Sequence, residues 1–261
     1  MSPILQIDSL DLTVRGAIPT TVKLIKSSPH VVSSTNYLPC PPPTPPNQWA
    51  ASVLPSCIAS QCSARPADEL AVGSKFGRRR SEFAQGRACL HGLLEEMGET
   101  QKVGSADDRS PIWPDGFVGS LSHSDAWIWG CVARETDLVS IGIDTELIAS
   151  VATRQDVEDT VATDSEWSLV RQSGLTLEET FTLVFSAKES FYKCWHPLVK
   201  TYFDFFDVEV VALTPSTLSL KTLSTHPGFG SGPSVLKVHY SKHHSSIFTA
   251  TWMEEGDESW I

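Results

Sequence analysis

The clearest alternation of apolar and other residues in the chain lies in the segment SIGIDTEL, which begins at residue 140. Ile141 and Ile143 alternate with small residues, and the apolar pattern stops at Asp144, two residues before Glu146. Side chains two residues apart in a strand project from the same face, so the two carboxylates are expected to lie side by side at the end of a buried strand. They are either solvated or brought together by a positive charge between them.

Helical spacing of apolar residues predicts a helix over residues 75–98 that ends at Gly98. Arg80 and Arg87 are seven residues apart and therefore lie about 20° from each other around the helix axis, with Arg79 alongside. This basic face is either a solvated helix surface or a site for a small anion, because guanidinium groups match phosphate geometry. The apolar face of the helix is expected to contain Phe83, Leu90, Leu93, Leu94 and Met97.

A second amphipathic helix is predicted over residues 175–195, because Thr176 and Glu179 form a capping box at its start. Its apolar stripe is expected to contain Phe181, Val184, Phe191 and Trp195.

The motif FSAKESFYK in this second helix combines one carboxylate with two lysines. Glu189 follows Lys188 directly and precedes Lys193 by one turn, so Glu189 and Lys193 share a face. Two interpretations are open. The group is either a helix-surface ion pair worth about 0.2–0.5 kcal/mol, or a site where the carboxylate binds metal or acts as a base while the lysines hold phosphate.

The remaining segments predict mostly antiparallel strands, so the fold class is α+β. FVGSLSH is expected to be short and extended, with a turn at GSLSHS whose backbone approaches an anion. His123 in that turn either adds a contact to the anion or has a structural purpose. The segment AWIWGCVA (126–133) and the C-terminal third are predicted to be strands, and the proline-rich segment 39–57 is expected to form an extended surface loop without a helix.

The composition is that of an ordinary globular protein. Of the 261 residues, 41% are apolar and 20% are charged, and the six scattered cysteines suggest neither a zinc cage nor a disulfide scaffold. The net charge of −11 arises mainly after residue 138, where 17 acidic residues face 8 basic ones, so nucleic acid is not an expected partner. With no membrane-spanning apolar run and no recognisable secretory leader, a cytoplasmic protein without a membrane partner is expected.

Four stretches of the chain, taken in order, resemble the Sfp-type 4′-phosphopantetheinyl transferases, in particular the branch of enterobactin synthetase component D. They are RRSEFAQGRACLHGLL, PIWPDGFVGSLSHS, SIGIDTE and FSAKESFYKCWHPLVKTYFDFFDVEV, which span roughly residues 75–210. The resemblance implies transfer of the phosphopantetheine arm of coenzyme A to a serine of an apo acyl or peptidyl carrier protein, with release of 3′,5′-ADP. It also implies a setting in siderophore, nonribosomal peptide or polyketide synthesis.

For a chain of this length, the resemblance implies a pseudo-dimer, in which two similar α/β halves bind coenzyme A between them. Here the halves would be residues 1–138, with the proline-rich loop, the basic helix and the GSLSH turn, and residues 139–261, with the GIDTE strand and the FSAKESFYK helix. A fused pair of this kind needs no partner subunit, so a monomer is expected.

The resemblance also assigns roles to individual residues. Asp144, Glu146 and Glu189 match ligands of Mg²⁺, with Mn²⁺ as an alternative, and Thr145 would contribute its backbone or a water molecule. Glu189, or a water on the metal, would take the proton of the carrier serine, and Lys193 would stabilise the departing ADP. The residues that match contacts to coenzyme A are Arg79, Arg87, Arg109, Ser122, His123, Asp144, Lys188 and Lys193, with Arg80 as a weaker member.

Two other functions fit part of the same pattern. A metal-dependent nuclease or phosphodiesterase also uses carboxylates and a lysine around Mg²⁺, although the acidic net charge and the WPDG and GSLSH stretches count against it. A non-catalytic protein that binds coenzyme A or a carrier would not need all three carboxylates and both lysines.

Overall fold

The computed structural model describes residues 44–64, 75–106, 110–223 and 234–255. Its strands are β1 (Ala59–Ala64), β2 (Gly104–Ser105), β3 (Pro111–Ile112), β4 (Phe117–His123), β5 (Trp127–Arg134), β6 (Ser140–Leu147), β7 (Val208–Leu213), β8 (Thr217–Thr222), β9 (Val235–His243) and β10 (Ser246–Met253). They form an antiparallel sheet in the order β1-β5-β4, a second in the order β6-β10-β9-β8-β7, and the short pair β2-β3. The fold therefore mixes helices with antiparallel sheets, as the sequence predicts.

One long helix packs on each of the two larger sheets. The helices are α1 (Pro46–Val53), α2 (Lys75–Glu96), α3 (Val151–Val161), α4 (Asp164–Val170) and α5 (Leu177–Val199). Helix α2 lies against β4 and β5, and helix α5 lies against β6 and β10. Among the residues described, no helix combines the length and apolar character needed to cross a membrane.

Local sequence signals locate both long helices correctly. The capping box of Thr176 and Glu179 forms at the start of α5, and all four residues of its predicted stripe are buried. Helix α2 ends at Glu96, and Gly98 follows with a φ of +83°, which favours glycine. The prediction that Phe83 belongs to the apolar face of α2 is wrong, because its side chain is 56% exposed.

The proline-rich segment contradicts the prediction of a loop without a helix over residues 39–57. Residues 46–53 form α1, and residues 39–43 lie outside the described part of the chain. Helix formation is possible because Pro46 occupies the first turn, where a backbone N–H has no partner within the helix. The buried side chain of Trp49 then anchors α1 to the core, because it packs edge-on against Trp129 with 5.8 Å between the ring centroids.

The GSLSH turn is also corrected by the structure. The whole FVGSLSH segment is strand β4, and the chain reverses only after His123, where Ser124 N–H donates to the carbonyl of Trp127 at 2.8 Å. The extended interpretation of this segment is confirmed, and the turn interpretation is wrong.

Strands β4 and β6 are neighbours, although they belong to different sheets. Two buried hydroxyls join them: Ser120 Oγ accepts from Ile143 N–H and Ser122 Oγ accepts from Thr145 N–H, each at 3.1 Å. We call these four residues the serine seam. A buried cluster with Trp129 on one side and Ile143 on the other also packs between the two sheets.

Helix α5 lies close to the backbone of β6 at Gly142. A Cβ at this position would overlap the carbonyl oxygen of Ser190 and lie 2.6 Å from the backbone nitrogen of Cys194. Gly142→Ala should therefore push the helix away and lower the free energy of unfolding by about 1–3 kcal/mol or more, because neither backbone atom can rotate aside. Urea denaturation monitored by tryptophan fluorescence measures this loss.

A second glycine supplies the control for this substitution. Gly92 in α2 has no neighbour within 4 Å of its Cβ position. Gly92→Ala should therefore stabilise the helix by about 0.5–1 kcal/mol. Equal stability changes in the two variants would contradict the close contact at Gly142.

Candidate active site

Alternate residues of β6 face helix α5, and this places the acids of SIGIDTEL against it. Ser140 Oγ donates to the carbonyl of Cys194 at 2.6 Å, and Gly142 follows on the same face. Asp144 is next and forms an ion pair with Lys193 of α5 at 2.7 Å. The structure therefore brings together the strand acids and the lysine that the sequence predicts for one site.

Asp144 is held through one of its two oxygens. Oδ1 accepts hydrogen bonds from Lys193 Nζ at 2.7 Å and from Ser122 Oγ at 2.8 Å. The side chain is 2% exposed, and Oδ2 is buried without a hydrogen-bond partner in the part of the chain that is described. A buried carboxylate oxygen without a partner is costly, so this atom fits a cation.

Two carboxylates near Asp144, those of Glu146 and Glu189, have too little positive charge around them to favour their ionised forms. Burial raises the pKa of Glu146 well above its usual value, and the charge of Asp144 raises it further. Burial likewise raises the pKa of Glu189 to about 7, although Lys193 acts to lower it. Burial acts to lower the pKa of Lys193, but the surrounding carboxylates raise it above its ordinary value. Three mutually repelling carboxylates with one ammonium group suit an additional cation.

The described residues do not form a complete metal cage. No three of their His, Cys, Asp or Glu side chains are close enough to hold a metal ion by themselves. Mg²⁺ usually takes one or two carboxylates from the protein and completes its shell with water and substrate phosphates. The donors on β6 therefore fit an ion that binds together with a phosphate substrate.

Thr145 is expected to serve the metal only through its backbone or a water molecule, and this stays a prediction for its carbonyl and for a water. The side chain lies on the face of β6 opposite to Asp144, as strand alternation requires. It is fully buried, and its N–H donates to Ser122 Oγ at 3.1 Å.

A cleft of about 190 Å³ opens beside Glu146. Apolar residues, among them Leu147 and Phe181, and polar residues, among them Asp125 and Thr182, line it in equal numbers. This mixed lining suits an extended chain that carries both apolar and polar groups.

Polar groups on the α2 side of β4 suit an anion. Arg87 donates through Nη2 to Ser105 Oγ at 2.8 Å, and its buried Nη1 has no hydrogen-bond partner among the described residues. His123 is exposed and projects from the same face of β4 as Leu121, which packs against Gly86 next to the arginine. Arg87 and His123 are thus directed to the same side of the sheet, where phosphate would be a matching ligand.

Two family models match adjoining parts of the chain. The 4′-phosphopantetheinyl transferase N-terminal domain matches residues 68–133, and the 4′-phosphopantetheinyl transferase superfamily matches residues 140–250. The chain belongs to the 4′-phosphopantetheinyl transferase superfamily. Arg87 and His123 lie in the first match, and Asp144 and Lys193 lie in the second.

Curated relatives of the superfamily cover the same region. The 4′-phosphopantetheinyl transferase Npt of Nocardia iowensis is 35% identical over 150 residues, which are 56% of this chain and 65% of the relative. Enterobactin synthase component D of Salmonella typhimurium is 34% identical over 146 residues, 56% of this chain and 60% of the relative. The 4′-phosphopantetheinyl transferase PptT of Mycobacterium tuberculosis is 29% identical over 164 residues, 58% and 66% of the two chains. The chain thus spans less than two thirds of the length of these relatives.

The sequence predicts a phosphate contact for Lys188. In the structure its side chain is instead bound by other groups of the protein. Its ammonium group donates to Glu166 Oε1 at 2.7 Å and to the carbonyls of Val161 and Phe205 at 2.9 Å each. These three acceptors match its three protons, and the side chain is 2% exposed. The prediction is therefore wrong, and Lys188 is a structural residue here.

Sequence reasoning did not identify Glu166. Its capping box with Thr163 is visible in the sequence, but the buried pair with Lys188 and the hydrogen bond from Val210 N–H at 2.9 Å arise only from tertiary packing.

Two other predictions stay predictions, because the side chain of Arg79 and all of Arg109 lie outside the described residues. Arg80 is exposed on α2.

Proposed function

We propose that this protein transfers the 4′-phosphopantetheine arm of coenzyme A to a serine of an apo acyl or peptidyl carrier protein and releases 3′,5′-ADP. The single observation that carries the proposal is the Asp144 carboxylate. One of its oxygens accepts from Lys193 and Ser122, and the other is buried without a hydrogen-bond partner among the described residues. Superfamily membership supplies the reaction class that such a site would serve.

The proposed transfer is a displacement at phosphorus. The serine oxygen of the carrier attacks the β-phosphorus of coenzyme A, the bond from that phosphorus to the bridging oxygen breaks, and 3′,5′-ADP leaves. Glu189, with its pKa raised to about 7 by burial, is suited to take the serine proton. The ammonium group of Lys193 lies beside Asp144, where it would donate to the departing phosphate.

Asp144 and Glu146 would hold Mg²⁺ or Mn²⁺, with Glu189 nearby as a third carboxylate. When bound, the ion supplies positive charge that offsets the charge developing on the phosphate oxygens. Arg87 and His123 would bind the nucleotide phosphate on the α2 side of β4. The cleft beside Glu146 would receive the pantetheine arm and the carrier serine.

We also propose the pseudo-dimer arrangement, with a division near residue 138. In its support, each part of the chain has one long helix packed on an antiparallel sheet, and the sheets change between β5 and β6. The protein would act as a cytoplasmic monomer. Since one relative is named enterobactin synthase component D, the proposed partner is a carrier of siderophore or other nonribosomal peptide synthesis, with polyketide carriers as further substrates.

Incubation with Mg²⁺, coenzyme A and several apo carrier proteins tests the proposal when intact masses are measured. Each accepted carrier should gain the mass of one phosphopantetheine, and the gain should disappear when a chelator removes the metal or when coenzyme A is omitted. If no carrier gains this mass, the transferase proposal is wrong. Cleavage of a nucleic acid under the same conditions would instead support the nuclease alternative.

A further inference from the structure

We propose that Ser122 is a positioning residue that orients Asp144 for the metal ion. This inference rests on the proposed function, since it concerns the same metal site. It assigns to the Ser122 side chain a role different from the coenzyme A contact that the resemblance implies.

The hydrogen bonds of Ser122 use the full capacity of its hydroxyl. A serine hydroxyl has one proton and two lone pairs. The proton goes to Asp144 Oδ1 at 2.8 Å, and the oxygen accepts from Thr145 N–H at 3.1 Å and from Lys193 Nζ at 3.2 Å. Because the two donors already occupy the lone pairs, the carboxylate is the acceptor left for the proton.

This arrangement distinguishes the two oxygens of Asp144. Oδ1 accepts from both Ser122 and Lys193, whereas Oδ2 is buried and has no partner among the residues described. Rotation of the carboxylate would break two hydrogen bonds to a charged group, so the free oxygen is held in one orientation. Fixing a metal ligand through its second oxygen or nitrogen is a common way in which proteins raise metal affinity.

The serine seam contains a natural comparison for this role. Ser120 also accepts a hydrogen bond from the backbone of β6, from Ile143 N–H at 3.1 Å, and it is as buried as Ser122. None of the hydrogen bonds found in the described part of the chain links Ser120 to a carboxylate. Loss of either hydroxyl removes one hydrogen bond of the seam, but only loss of Ser122 also removes one of the two hydrogen bonds that orient Asp144.

The experiment compares Mn²⁺ binding to the full chain in the parent, Ser122→Ala and Ser120→Ala, by the electron paramagnetic resonance signal of free Mn²⁺. Saturating coenzyme A is present and no carrier is added, because the substrate phosphates complete the shell of the ion. Ser122→Ala should weaken Mn²⁺ binding by about 10- to 100-fold, the range found when a partner of a metal ligand is removed. Ser120→Ala should bind Mn²⁺ like the parent, although its melting temperature should also fall because the seam loses a hydrogen bond. Ser122→Thr, which keeps the hydroxyl, should restore binding.

Several results would overturn the inference. Equal weakening in both alanine variants would show a structural effect, and unchanged binding in Ser122→Ala, or no binding to the parent, would exclude the role. A higher KM for coenzyme A with unchanged Mn²⁺ affinity would instead show a direct phosphate contact. If Ser122→Ala does not fold, Ser122→Cys keeps the side-chain size with a weaker donor and should also weaken binding.

The Mn²⁺ measurement does not depend on phosphopantetheine transfer, so the two proposals fail separately. A parent protein that binds Mn²⁺ in a Ser122-dependent manner but modifies no carrier would contradict the proposed function and support the inference. A parent that modifies carriers while Ser122→Ala retains full Mn²⁺ affinity would support the function and contradict the inference.

Discussion

Replacing Glu189 by glutamine should lower the rate of phosphopantetheine transfer by about 10²- to 10⁴-fold, the usual contribution of a positioned proton acceptor. The amide has nearly the same shape as the carboxylate but cannot take a proton or serve equally well as a ligand for a hard cation. The substitution should leave the protein at least as stable as the parent. Burial and the charge of Asp144 already disfavour the ionised form of Glu189, so removal of this charge relieves repulsion.

Two measurements on the same variant test this expectation. Initial rates of carrier modification by intact mass give the loss of transfer, and urea denaturation gives the free energy of unfolding. Glu178→Gln is the matched control, since it makes the same chemical change on the same helix at a residue whose carboxylate pairs with Arg154 at 3.1 Å. Turnover of Glu189→Gln close to that of the parent would show that this carboxylate has no part in the reaction.

Replacing Lys188 by methionine should lower the free energy of unfolding by about 3–5 kcal/mol. The lysine is buried, and its removal leaves the carboxylate of Glu166 without a counter-charge in a site where both side chains are 2% exposed. The carbonyls of Val161 and Phe205 would lose their hydrogen-bond donor as well. Denaturant titration monitored by tryptophan fluorescence measures the change.

The double variant Lys188→Met with Glu166→Gln separates charge from packing. Glutamine at position 166 keeps an oxygen for Val210 N–H but carries no charge, so the double variant should be more stable than Lys188→Met alone. A stable Lys188→Met variant with a higher KM for coenzyme A would contradict the structural role. That outcome would restore the phosphate contact that the resemblance to the family implies for Lys188.

Local signals in the sequence were sufficient for the elements that carry the site. Strand alternation places Asp144 on the α5 face of β6 and Thr145 on the other, and the capping box at Thr176 locates the helix that presents Lys193. These features depend on residues close together in the chain. For the same reason the mixed fold with antiparallel sheets was predictable from periodicity.

Features that depend on distant parts of the chain cannot be predicted from local sequence patterns. Lys188 and Glu189 are adjacent, but neighbouring residues on a helix point about 100° apart, so one faces the core and the other faces the site. Only the packing of α4 against the sheet provides Glu166 as a partner for Lys188. The α1 helix was missed because proline frequency indicated a loop, whereas burial of Trp49 favours the helix.

The serine seam has a consequence for how the chain folds. The outer edge of β6 is covered by two side-chain hydroxyls of β4, and Ile143 shares a buried cluster with Trp129 of β5. A segment beginning after residue 138 would expose this apolar surface together with an uncovered strand edge, which is a template for aggregation. The two parts of the chain are therefore mutually dependent for solubility, and they are expected to unfold in one cooperative transition.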